Sequence, residues 1–213
     1  MADRVTAASR LRALTEVGVV PEGAQVDSRR RSCSWHERGL RMTLLLEPFG
    51  PPYPTETGRW SLFVSPSGIL GLPSDRGGAD TVVAIRPRQD QDSPRTSWVS
   101  GAAFGELVLG ARQFVVDESD MCWLLTEQDD VARGGLTTWN YQKFAARVVK
   151  SLLLARQCGD RRAEERALAI LHSGAEVPVA PNSSESILVV ARRRAEEISR
   201  DTGLEVRLDP ASD

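Results

Sequence analysis

The chain has 213 residues, of which 41% are hydrophobic and 26% are charged, a composition typical of a folded globular protein. Its 29 acidic and 27 basic residues give a formal net charge of -2, which excludes a strong overall attraction to nucleic acid or to an anionic membrane. The length suffices for one large or two small domains, and no apolar run approaches the ~18 residues of a membrane span.

The first predicted element is an amphipathic helix over residues 2–17. Its apolar positions recur at near-helical spacing and are Val5, Ala8, Leu11 and Leu14. The segment lacks the apolar core of a signal peptide, and the three cysteines are widely spaced, which argues against a disulfide framework. We therefore expect a cytoplasmic protein with reduced thiols. Arginine far outnumbers lysine, a bias that we expect from a GC-rich, bacterial genome.

Short apolar runs bounded by proline and glycine predict strands in the middle of the chain. They span residues 40–47, 59–65, 81–87 and 121–127. Residues 97–116 combine a helical repeat with Gly105 and Gly110, so a helix and a bent pair of strands both stay open. Together these runs predict a central, mostly antiparallel sheet over about residues 40–127.

Three helices and an edge strand are predicted in the C-terminal third. The helices span residues 138–157, 160–174 and 183–202, and the strand spans 204–208. Thr138 is expected to cap the first helix, and Asn182 with Glu185 resembles a capping box for the third. The predicted fold is thus α+β. It divides into a β-rich part (1–130) and a helical part (131–213), or packs as one unit.

The stretch "RSCSWHERG" (31–39) gathers chemically versatile side chains. Cys33 and His36 could act as a thiol nucleophile and its base, or supply half of a zinc site. The chain has no second close pair of cysteine or histidine, which argues against zinc. The surrounding arginines favour a basic surface loop, or the start of a strand with Trp35 buried.

The sign of the charge pattern changes near residue 133. Residues 113–132 include six acids and no base, and residues 133–159 include five bases and no acid. Basic side chains on one face of the predicted 138–157 helix can turn to solvent, pack on the acidic segment, or bind phosphates of a ligand or nucleic acid. Solvation is the usual outcome. The candidate phosphate-binding residues are Lys143, Arg147, Lys150 and Arg133.

The carboxylates of residues 117–130 could instead hold a divalent cation, as in hydrolases and nucleases. The candidate ligands are Asp117, Asp120 and Asp129. A strand over 121–127 would place Asp117 and Asp120 at one end and Asp129 at the other, which argues against a single metal centre.

The sequence contains no complete catalytic or cofactor signature. Its five tryptophans favour core positions and, second, a binding surface. We therefore expect a non-catalytic cytoplasmic interaction or adaptor protein, without cofactor or membrane, that binds a protein partner or itself. The alternatives are a metal-dependent hydrolase or nuclease using residues 117–130, and a phosphate- or nucleic-acid-binding protein using the 138–157 helix.

Overall fold

The computed structural model describes residues 6–48, 58–66, 83–88, 102–139 and 143–210. It confirms the α+β class, with an N-terminal helix, an antiparallel sheet and a helical C-terminal part. The described helices are α1 (Ala7–Glu16), α2 (Ala102–Phe114), α3 (Glu118–Thr126), α4 (Phe144–Cys158), α5 (Arg161–Leu171) and α6 (Ile187–Thr202). None of these helices is long and apolar enough to cross a membrane.

The described strands form a seven-stranded antiparallel sheet and a separate two-stranded hairpin. In chain order they are β1 (Gln25–Asp27), β2 (Ser32–Glu37), β3 (Leu40–Pro48), β4 (Gly58–Pro66), β5 (Val83–Pro87), β6 (Ala132–Arg133), β7 (Leu136–Trp139), β8 (Glu176–Ala180) and β9 (Ser183–Ser186). The sheet order is β1-β2-β3-β4-β5-β7-β6, and β8 pairs with β9. β6 and β7 therefore belong to the sheet, although they follow the boundary at residue 130 expected from the sequence.

Buried and exposed side chains alternate along β3, and this alternation identifies the buried face of the sheet. Leu40, Met42, Leu44 and Leu46 of β3 are buried, while Arg41 and Glu47 are exposed. Side chains on a strand alternate between faces, so this pattern puts one apolar row against the helices. The register continues the row onto β4, where Leu62 lies opposite Leu44.

Two hydrophobic clusters of buried side chains meet at α4. The first lies between the sheet and helices α1, α2 and α3, and it includes Leu154 and Ala155 of α4. The second lies among α4, α5 and α6, and it includes Val148 and Leu152 of α4. One helix thus contributes side chains to both clusters.

For segment 97–116 the sequence allows either a helix or a bent pair of strands. The described part of this segment contains a helix, α2. The two glycines that weaken its helical propensity allow close packing. A Cβ on Gly105 would lie 3.4 Å from Val19 Cγ2, and one on Gly110 would lie 3.4 Å from Leu136 Cδ1. A larger residue at either position would crowd these neighbours.

Several predicted elements are wrong. Residues 121–127 were expected as a strand but lie largely in α3, because a short buried helix gives the same apolar run as a buried strand. The 138–157 helix begins only at Phe144, since Thr138 pairs with Ile85 in the sheet. Asn182, expected in a helix cap, instead turns the β8–β9 hairpin with φ 64. Residues 204–208 form no strand.

Arg112 of α2 ties the N-terminal region to the sheet. Its guanidinium donates to both carboxylate oxygens of Glu37 at 3.0 and 3.1 Å and to the carbonyl oxygen of Val19 at 2.7 Å. It also lies over the Trp35 ring, 5.8 Å from the centroid. A single half-buried cation therefore joins α2, β2 and the chain that follows α1.

We expect Arg112→Ala to lower the free energy of unfolding by about 2 kcal/mol, because a carboxylate and a carbonyl lose their charged donor. Urea denaturation followed by circular dichroism measures this change. Arg30→Ala is the matched control: the Arg30 side chain is 82% exposed, and its loss should change stability by at most about 0.5 kcal/mol. Equal losses in the two variants would contradict the role assigned to Arg112.

Candidate functional site

The structure separates the thiol and imidazole of the "RSCSWHERG" stretch. Residues three apart on a strand point to opposite faces. Cys33 accordingly lies in the core with 0% exposure, while His36 is exposed on the other face of β2. Burial raises the pKa of the Cys33 thiol, which disfavours a reactive thiolate. This stretch is a strand with Trp35 buried rather than a surface loop.

Two of the three candidate metal ligands are engaged in hydrogen bonds at the start of α3. Asp117 caps α3 by accepting from the Asp120 backbone N–H at 3.0 Å, and the Asp120 carboxylate accepts from the Val116 N–H at 2.9 Å. Asp129 is exposed beyond the C-terminal end of α3. Among the described residues, no group of three or more His, Cys, Asp or Glu side chains could hold a metal ion.

Arg147 points into the protein and packs on the acidic segment. The residue is 3% exposed, and its guanidinium donates to the carbonyl oxygens of Glu127 at 2.8 Å and Gln128 at 3.3 Å. These carbonyls lie at the C-terminal end of α3, where a cation is favourable. Burial lowers the pKa of Arg147, and the negative charges of Asp130 and Glu127 oppose that shift.

The other candidate phosphate-binding residues do not form one open surface with Arg147. Lys150 is also 3% exposed within α4. Lys143 precedes the helix, and its Nζ donates to the Val179 carbonyl oxygen at 3.1 Å. Arg133 is exposed in β6, at the far edge of the sheet. The residues share a sequence pattern, but the face of α4 that carries Arg147 and Lys150 is buried.

A cluster that the sequence did not predict lies where α3, α4 and α5 meet. The Cys122 Sγ donates to the Ser151 carbonyl oxygen at 3.8 Å, and the Ser151 Oγ donates to the Cys122 carbonyl oxygen at 2.9 Å. Ser119 Oγ donates to Asp160 Oδ2 at 2.8 Å, and Asp160 caps α5. Hydrogen bonds from the Ala163 backbone and from Ser119 lower the pKa of Asp160.

The same junction leaves Trp123 on the outside. Trp35 and Trp60 are buried in the core, whereas Trp123 is 45% exposed. Trp98 and the Trp139 side chain lie outside the described residues. Trp123 lies four residues after Ser119 and three before Thr126, so it shares with them the face of α3 that Asp160 and Arg166 contact.

Arg166 of α5 binds the C-terminal end of α3. Its Nε donates to Thr126 Oγ1 at 2.8 Å and its Nη2 donates to Glu127 Oε1 at 2.6 Å. Because Ser119 meets Asp160 and Thr126 meets Arg166, α3 and α5 run side by side in the same direction. Arg162 lies one helical turn before Arg166 on the same face. We name this exposed region, formed by Trp123, Glu127, Arg162 and Arg166, the Trp123 surface.

A groove of about 900 Å³ lies between α6 and the segment that follows it. Two of its arginines are engaged in internal contacts. Arg156 binds Glu164 at 2.6 Å and the Asp209 carbonyl oxygen at 2.8 Å, and Arg207 pairs with Glu205 at 2.9 Å. Arg156 therefore holds the C-terminal segment against α4.

Comparison of the chain with protein-family models, with curated proteins and with solved structures found no match. Among the tryptophan side chains that the structure describes, Trp123 alone is exposed, and the neighbouring Cys122 thiol is buried.

The opposite burial of Cys33 and His36 predicts opposite effects of substitution. We expect Cys33→Ser to lower the free energy of unfolding by about 1–3 kcal/mol, because it places a hydroxyl in an apolar core. His36→Ala, which changes an exposed side chain on the same strand, should change it by at most about 0.5 kcal/mol. Urea denaturation of both variants checks this, and equal stability of the two would contradict the assigned faces.

The Cys122 thiol predicts a specific alkaline dependence of stability. Burial raises its pKa from 9.0 to about 12, with smaller contributions from Cys158 and Asp160. The unfolded chain therefore loses this proton first as the pH rises above 9.0, and stability falls until about pH 12. We expect wild type to lose up to about 1.4 kcal/mol per pH unit more than Cys122→Ala in this window. Urea denaturation at several pH values measures this difference. If the free energy of unfolding falls equally steeply with pH in both proteins, Cys122 is not the group responsible.

Proposed function

We propose that the protein is a non-catalytic interaction protein that self-associates through the Trp123 surface. The observation that carries this proposal is the 45% exposure of Trp123 on the face of α3 that Asp160 and Arg166 contact through Ser119 and Thr126. Tryptophan and arginine are the residue types that most often dominate binding energy at protein interfaces. A large aromatic ring at the rim of two packed helices offers apolar area that a partner can bury.

The charges of α3 and α5 favour a second copy of this chain as the partner. Asp117 is exposed at the start of α3, and Asp129 and Asp130 are exposed just beyond its end, so exposed acidic side chains flank the helix. The exposed charged side chains of the first two turns of α5 are Arg161, Arg162, Glu165 and Arg166, which give this part of the helix a net positive charge. A two-fold axis that is parallel to α3 and α5 and lies in front of the surface they form would place α3 of one copy opposite α5 of the other. Acidic side chains near α3 of each copy would then face basic side chains on α5 of the other copy. Because an isologous interface is symmetric, this contact would occur twice.

The alternatives expected from the sequence find less support. Asp117 and Asp120 are engaged at the start of α3, which leaves a hydrolase without an assembled ligand set in the described residues. Arg147 and Lys150 are buried, so a phosphate group would have little access to them. No described contact favours either function over self-association.

We expect wild type to form a dimer whose population rises with protein concentration, measured by sedimentation velocity. Trp123→Ser should weaken the dimer at least about tenfold, because it removes the central aromatic side chain. Leu109→Ser is the matched control: Leu109 is 41% exposed on α2, outside the Trp123 surface, and its loss should leave the dissociation constant unchanged.

A charge reversal tests the geometry of the proposed dimer. Arg162→Glu should weaken it, and the same variant should make the remaining association less sensitive to salt. A chain that stays monomeric at all concentrations would overturn the proposal. A dimer that is unaffected by both Trp123→Ser and Arg162→Glu would place the interface elsewhere and would also overturn it.

A further inference from the structure

Two cysteine thiols lie over the same face of α4. Cys122 Sγ lies 3.8 Å from the Ser151 carbonyl oxygen, and Cys158 Sγ lies 3.6 Å from the Ala155 carbonyl oxygen. Carbonyls four residues apart on a helix share one face and are separated by about 6 Å along the axis. One thiol reaches this face from α3, and the other belongs to α4 itself.

The two thiols differ in access. Cys122 is 0% exposed and is held between α3 and α4, whereas Cys158 is exposed. Cys158 is the last residue of α4, and Gly159 ends the helix with φ 73. A side chain at the end of a helix can shift without breaking hydrogen bonds in the helix interior. The exposed thiol can therefore move toward the buried one.

From this placement we propose that Cys122 and Cys158 form a redox modification site, in which a peroxide converts the two thiols into a disulfide between α3 and α4. A disulfide requires the two Cβ atoms to lie about 3.5–4.5 Å apart, so the last turn of α4 closes toward α3. This inference does not depend on self-association.

The reaction proceeds in two balanced steps. The Cys158 sulfur attacks one oxygen of hydrogen peroxide, the O–O bond breaks, and Cys158 sulfenic acid and one water form. The Cys122 sulfur then attacks the Cys158 sulfur, the S–O bond breaks, and the leaving hydroxide takes the Cys122 proton as a second water. The two thiols lose two electrons in total, and one peroxide is reduced.

The environment of Cys122 sets the order of events. Burial raises the pKa of its thiol to about 12, so it is almost entirely protonated near neutral pH. Thiolates attack much faster than thiols, so this protonation slows the attack of Cys122 on the Cys158 sulfenic acid. A sulfenic acid on Cys158 should accumulate before the disulfide appears, and a sulfenic-acid trap such as dimedone should label it there.

The test treats the folded, full-length chain with hydrogen peroxide, then unfolds it and alkylates the remaining thiols. Of the three cysteines, only Cys33 should react with the alkylating reagent. Peptide mass spectrometry should find Cys122 joined to Cys158, and dithiothreitol should restore three reactive thiols. The oxidised chain should unfold at a higher temperature, because the cross-link restricts the unfolded state.

Cysteine variants provide the controls. Cys33→Ala should form the same cross-link, whereas Cys158→Ser and Cys122→Ala should form none. In Cys122→Ala the Cys158 sulfenic acid should persist or proceed to sulfinic acid. Three alkylatable thiols after peroxide treatment of wild type would overturn the proposal. So would overoxidation of Cys158 with Cys122 still free, or a disulfide that joins two chains through Cys158.

Discussion

The rest of the structure depends on the burial of α4. The helix contributes side chains to both hydrophobic clusters, and it buries Arg147 and Lys150 as well as apolar residues. A buried cation is costly unless its donors are satisfied. Both terminal nitrogens of Arg147 find acceptors at the carbonyl oxygens of Glu127 and Gln128, while its buried Nε finds none among the described residues. The C-terminal end of α3 is thereby fixed to the start of α4.

The fixed contact between α3 and α4 positions the exposed tryptophan and the two thiols. Ser151 and Cys122 exchange hydrogen bonds across it, which turns Cys122 inward and leaves Trp123 outside. α5 then packs beside α3 through Ser119 with Asp160 and through Arg166 with Glu127. The exposed aromatic surface and the thiol pair are therefore two consequences of one helix arrangement.

The sequence predicts the sheet and the fold class but not the candidate sites. Strand β3 can be predicted because Leu40, Met42, Leu44 and Leu46 repeat with a period of two residues. The nine residues of α3 are too few to show a helical period against a run of apolar side chains. The contact between Cys122 and Ser151 of α4 joins residues far apart in the sequence, and no local sequence pattern predicts it. The change of charge sign near residue 133 did indicate a real contact, but its outcome depended on which face of α4 is buried.

Native-state hydrogen exchange tests most directly whether α4 unites the two hydrophobic clusters. If it does, the amides of α4 should exchange only through global unfolding, with the same free energy and denaturant dependence as the central strands β3 and β4. The most protected amides of α5 and α6 should follow the same dependence. Exchange of α4 together with α5 and α6 at a lower free energy, while β3 and β4 stay protected, would contradict this account.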